Sequence, residues 1–148
     1  MLLETLIQLF ERDLNKLINE IDLYKEEENI WLVKNGISNP GGNLCLHLLG
    51  NLNFFIGTTL GNTGYSRDRD AEFSSKNIPR EQLISSVQQT IPVVCGTIGK
   101  LTETDMAKEF PLEINAKKTS TAHILVHLLS HLSYHLGQIN YHRRIVEG

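Results

Sequence analysis

The residues of this chain best suited to chemistry are concentrated in the stretch His127-Leu-Leu-Ser-His131-Leu-Ser-Tyr-His135-Leu-Gly-Gln-Ile. Five of the six histidines lie between His123 and His142, and His123, His127, His131 and His135 recur at every fourth residue. On a helix each such step turns only ~40° about the axis, so neighbours in the row stack one turn apart on one face. His131 and His135 can therefore point two imidazoles at a single ion. Between them the sequence is apolar nearly all round (Ile124, Leu125, Leu128, Leu132, Leu136, Ile139), the composition of a helix buried among other helices. Histidines in such a setting need partners.

A second polar row on an apolar segment offers one. Asn43, His47 and Asn51 follow at i, i+4 and i+8, and His47 is a candidate for a third imidazole. Three histidines on zinc leave a coordination position for water or substrate, whereas structural zinc sites are closed by four ligands. Imidazole equally suits nickel, iron and copper. The chain has no His-Glu-x-x-His, so the metalloprotease arrangement with its built-in glutamate base is absent. Cys45 sits about 200° round the helix from His47 and reads as a small core residue.

Other candidates surround this set. His127, a turn before His131, reads either as a proton carrier lining the pocket or as a core or interface residue. His142 stands seven residues beyond His135, ~10.5 Å along the axis, too far to share the ion. In the polar connection Gly61 to Ser74, Arg67, Arg69, Asp70 and Glu72 read either as a clamp for a small ligand or as surface ion pairs. Long connections of this kind are usually functional or disordered.

The elements that must carry these residues are helical. Leu3, Ile7, Phe10, Leu14, Leu17, Ile21 and Tyr24 form one apolar stripe with acidic and basic residues mostly off it. Asn35 to Gly42 is dense in turn formers, and the adjacent Trp31 reads as a core plug. A second helix is expected from about Asn43 to Leu60. A third opens with Pro79 in its first turn and carries Ile84, Val87, Ile91, Val94, Ile98 and Leu101, with Pro92 expected to kink or open it. Thr102 to Lys118 reads as irregular, with a short extended piece at Leu112 to Ile114, and Thr119, Ser120 or Thr121 caps the histidine helix. Four such helices without a convincing strand predict an all-α four-helix bundle, and the long second connection permits an up-down-down-up order.

Composition narrows the functional classes. The chain has 148 residues, 41% hydrophobic and 21% charged, as expected of one folded domain over 1–148. A net charge of -3 offers no basic stripe for phosphates, so no nucleic-acid partner is expected. Nor is there an apolar run long enough to span a bilayer. Two cysteines make no disulfide framework and the N-terminus lacks the pattern of a signal peptide, so a reducing, cytoplasmic setting is the expectation.

Taken together, Leu46-His47-Leu-Leu-Gly-Asn51, Gly61-Asn-Thr-Gly-Tyr-Ser-Arg-Asp-Arg-Asp-Ala-Glu-Phe73 and Ser130-His131-Leu-Ser-Tyr-His135-Leu-Gly-Gln138-Ile resemble the DinB-like (YfiT-like) superfamily of bacterial four-helix-bundle metalloenzymes, over almost the whole chain. The resemblance implies His47, His131 and His135 as ligands of a nickel or zinc ion, with the helices in up-down-down-up order. Where Leu136 stands, the superfamily commonly has arginine. Some of its members are thiol-dependent S-transferases or isomerases, so the resemblance implies a low-molecular-weight thiol as cosubstrate and a small-molecule electrophile as substrate. Metal-dependent hydrolysis and a non-enzymatic metal-binding role in stress response are the competing readings. Relatives often form homodimers, and the run Phe54-Phe55-Ile56 spans ~200° of a helix, more than one bundle core can face. A two-fold homodimer with the second helix at or near the contact is therefore expected, the alternative being that the connection after Gly61 folds back and covers these residues within the monomer.

Overall fold

The computed structural model describes residues 1–148. It is all-helical, with no strand: α1 (Leu2–Leu23), a 3-10 turn (Glu27–Trp31), α2 (Gly41–Leu52) continued by a π turn (Asn53–Thr58), α3 (Arg69–Ser74), α4 (Arg80–Gly99), α5 (Glu103–Ala107) and α6 (Thr121–Glu147). No helix is long and apolar enough to cross a membrane.

α1 follows its apolar periodicity. Leu6, Phe10, Leu14, Leu17 and Ile21 are buried, each contributing on the order of 1.5–3 kcal/mol of apolar transfer. Leu3 and Ile7 are only partly buried and pack at the edge of the core. Tyr24 ends the stripe just outside the helix, as its C-cap, and is buried. Asp13, which the stripe leaves outside, is buried as well. Its carboxylate accepts a hydrogen bond from Arg12 Nε at 2.8 Å.

The four long helices touch in a ring: α1 against α4 and α6, and α2 against the same two. Named contacts give the ends that meet. Arg80, opening α4, donates to the Tyr24 carbonyl at the close of α1, while Cys95 lies against the Ile7 carbonyl. Asn140 and Arg143 of α6 bond to Glu20 of α1, and Gly41, opening α2, donates to His142 near the end of α6. Farther along, Asn53 donates to Thr90 of α4. One contiguous apolar core fills the space between.

Close packing sets the entry to α2. Gly41 lies against the Tyr24 hydroxyl and Gly42 against the Trp31 ring, so a Cβ at either would overlap an aromatic side chain. Trp31 is a buried core residue, as expected of it. The helix starts two residues before the expected Asn43, because Pro40 takes the N-cap position with extended backbone. Its far end turns π-helical where the sequence reads as ordinary helix to Leu60. One extra residue per turn changes the phase of the helix. Ile56 is thereby fully buried, and Phe54 and Phe55 are left half-buried.

α4 runs unbroken through Pro92. Pro92 and Gln88, whose carbonyl loses its N–H partner, both lie on the exposed side, where water can serve the carbonyl. The stretch expected to be irregular holds α5, closed by a capping box between Thr102 and Asp105, and a tight turn with bridges Ile114 to Lys117 and Glu109 to Ser120. Asn115 and Ala116 both take positive φ there (54° and 59°). Ser120 caps α6, accepting from the His123 N–H.

Candidate metal centre

α2 and α6 bring three of the six histidines together. His47 Nε2 lies 3.2 Å from His131 Nε2, and His135 Nε2 lies 3.1 Å from the same atom. One ring nitrogen of each residue falls within 4.8 Å of the others. His47 is buried, and His131 and His135 are half-buried.

Hydrogen bonds on the far side of two rings fix where the protons sit. His47 Nδ1 is 3.0 Å from Glu72 Oε1, and an ionised carboxylate only accepts, so the hydrogen is on Nδ1. His135 Nδ1 is 2.7 Å from Gln138 Oε1 and donates in the same way. Both Nε2 atoms therefore present lone pairs to His131. The proton of His131 has two places to go. On Nε2 it serves only one of two neighbours, and on Nδ1 it is buried without an acceptor.

Such a donor set can hold a metal ion. A divalent ion among the three nitrogens resolves the conflict between their lone pairs. Tetrahedral nitrogens bound ~2.1 Å from zinc stand ~3.4 Å apart, close to the spacing of His131 from its two neighbours. Electrostatics agree, since burial and the neighbouring His135 and His47 push His131 down to about 4. Burial also lowers His47, against the opposing pull of Glu72. Neutral imidazole is the ligating form.

Glu72 is itself anchored. Arg67 reaches both of its oxygens, Nε to Oε2 at 2.9 Å and Nη2 to Oε1 at 3.0 Å. The pair is largely buried, and the Arg67 guanidinium lies 5.8 Å from the centre of the Phe55 ring. Asn43, one turn before His47, donates to the Glu72 and Ser75 carbonyls. That holds α3 against α2. Gly50 lies under the Glu72 carboxylate, where a Cβ would collide with it.

The remaining candidates lie elsewhere. His127 and His123 are exposed, because the ~40° drift per step carries the row off the inward face. Arg69 is exposed with its guanidinium 5.9 Å from the Phe73 ring, and Asp70 is exposed. His142 is buried away from the cluster and bonded to Tyr24, Gly41 and Leu32. Cys45 is fully buried, its thiol pushed up to about 12. Gln138, Asn43 and Gly50 carried no assigned role from the sequence. Gln138 had a legible signal in its i+3 spacing from His135, and Asn43 in its i+4 spacing to His47.

A family model described as a protein of unknown function (DUF1572) matches residues 2–148. The chain belongs to this family. No curated protein matches it. Family membership thus brings no activity with it, and the chemistry has to be argued from the histidines and their supports.

Proposed function

We propose that this DUF1572 chain is a DinB-like metalloenzyme that joins a low-molecular-weight thiol to a small electrophile, with nickel or zinc held by His47, His131 and His135. The observation that carries the reading is the convergence of three ring nitrogens, two with their protons committed to Glu72 and Gln138 on the opposite edge. A divalent ion on three imidazoles supplies the Lewis acidity that favours the deprotonated form of a thiol or water near neutral pH.

The chain's own residues hold and shield that centre. Glu72 and Gln138 orient two ligands, and the Phe73 ring packs 4.9 Å from the His47 ring and restricts water on that side. Beside His135 lies a cavity of about 450 Å3, with Leu44, Tyr134, Gln138 and Tyr141 in its wall and no charged side chain. Its size suits a small molecule, and its neutral lining favours an uncharged electrophile. The up-down-down-up bundle is part of the same reading. It is supported by the ring of helix contacts and by the ends that meet, with the start of α2 at the end of α6 and the start of α4 at the end of α1. Pairing of two copies is proposed as well, on the half-buried Phe54 and Phe55.

Turnover of 1-chloro-2,4-dinitrobenzene by metal-loaded and chelator-stripped chain, with and without an added thiol, tests the reaction. Metal-dependent and thiol-dependent conjugation is the expected result. Metal-dependent hydrolysis of small esters or amides without thiol would move the assignment to a hydrolase, and loss of fold without any turnover to a structural ion tying α2 to α6.

A further inference from the structure

We infer that Glu72, clamped by Arg67, is a positioning residue that fixes His47 as its Nδ1–H tautomer, so that the connection Gly61 to Ser74 governs how tightly the three-histidine centre holds an ion. The inference deepens the proposed metal site and rests on that reading for its metal-binding arm.

Three observations converge on it. First, Glu72 Oε1 is within hydrogen-bond distance of both His47 Nδ1 and Arg67 Nη2, so the carboxylate joins the imidazole to a fixed guanidinium. Arg67 Nη2 also comes within 3.4 Å of His47 Nδ1, but both atoms carry hydrogens, and the carboxylate between them makes the contact favourable. Second, α2 clears a place for the carboxylate. Gly50 lies beneath Glu72, and a Cβ there would overlap Oε2. Third, the pair is nearly sealed from solvent, with side-chain exposures of 14% for Arg67 and 6% for Glu72. A buried ion pair is a poor source of net stability, since desolvation offsets the attraction. What it supplies here is orientation. A carboxylate on the far nitrogen of a ligating histidine sets the tautomer and raises the basicity of the ligating one.

Arg69 is on the same connection yet exposed, with its guanidinium 5.9 Å from the Phe73 ring, so a charge in this segment acts on the centre only where it reaches His47. The role is specific to the residue that reaches His47. Loss of such a partner typically lowers metal affinity 10–100-fold.

Glu72→Gln and Gly50→Ala disturb the contact by different routes. One removes the charge and keeps the volume, and the other keeps the charge and displaces it. Zinc affinity measured by chelator competition should fall about 10–100-fold in both, with Arg69→Gln unchanged as the control. In the metal-free chain, nitrogen-15 spectra of the imidazoles should show His47 protonated on Nδ1 in the wild type and a mixture of tautomers in Glu72→Leu, which offers the ring no acceptor, with the melting temperature monitored to exclude unfolding. Wild-type zinc affinity retained in both variants would overturn the inference. If the wild type bound no zinc, the proposed function would fail, and the imidazole spectra alone would decide, an Nδ1–H that persists in Glu72→Leu contradicting the positioning role.

Discussion

His142 Nδ1 and the Tyr24 hydroxyl lie 2.7 Å apart in the buried corner where the ends of α1 and α6 meet the start of α2. The same nitrogen is 3.2 Å from the Gly41 N–H, while Nε2 is 2.8 Å from the Leu32 carbonyl. A neutral ring fits all of these, with Nε2–H donating and Nδ1 accepting from Tyr24 and Gly41. This histidine ties the fold together and lies outside the three-histidine cluster. His142→Gln should keep its metal and lose on the order of 1–3 kcal/mol of stability, the cost of a buried group left without its partner. Urea unfolding and metal analysis of the same sample check both halves.

Acid should act on the same corner. Burial lowers the pKa of His142, with the Leu32 bond opposing it, so the folded value is below the unfolded one near 6.5. The unfolded chain then binds more protons below that pH, and stability rises with pH. The contribution is complete above about 6.5 and is lost as pH falls through the folded value. His47 and His131 act in the same direction in the metal-free chain. The test is therefore the difference between wild type and His142→Gln, which should narrow as pH is lowered from 7 to 5. A constant difference would contradict the neutral-ring assignment.

Gly42→Ala should disturb Trp31 before it disturbs the histidines. A Cβ at this position overlaps the indole ring, and overpacking of this kind costs about 1–3 kcal/mol. Tryptophan fluorescence reports the change directly, as Trp31 is the sole tryptophan. An unchanged emission spectrum and unchanged stability would mean that the ring has room to move.

How much of this was legible depended on how local each relationship is. His131 and His135 are separated by one helical turn, so spacing alone pairs them. His47 sits 84 residues from His131, and its place follows from α2 packing against α6, which periodicity does not specify. The resemblance supplied that pairing. Arg67 and Glu72 were visible as charges, but whether they form a clamp or surface pairs turns on Gly50, which carries no signal of its own, and on Asn43, whose i+4 spacing to His47 does not reveal its bond to the Glu72 carbonyl. The π turn was hidden because Asn53 to Thr58 has an ordinary helical composition, and its phase change alters which of Phe54, Phe55 and Ile56 is buried. The capping box Thr102-Glu-Thr-Asp105 was present as a start signal within a stretch that otherwise reads as irregular.

His127 offers the contrast to the ligands. It is exposed on α6, and His127→Gln should leave metal content unchanged and stability within about 0.5 kcal/mol, as for surface substitutions generally. Loss of metal in this variant would require a different ligand set.

The proposed association is a two-fold homodimer with α2 and its π turn at or near the contact. Light scattering at micromolar concentration should give twice the 16.7 kDa chain mass, and Phe54→Ser should shift it toward the monomer. A wild-type monomer would contradict the proposal.

The three-histidine centre is tested most directly by elemental analysis of the chain purified without chelator. About one divalent ion per chain is expected, as nickel or zinc, with His47→Ala and His135→Ala each reducing it to background while the chain remains folded. Metal content that is absent in the wild type, or unchanged by both substitutions, would contradict it.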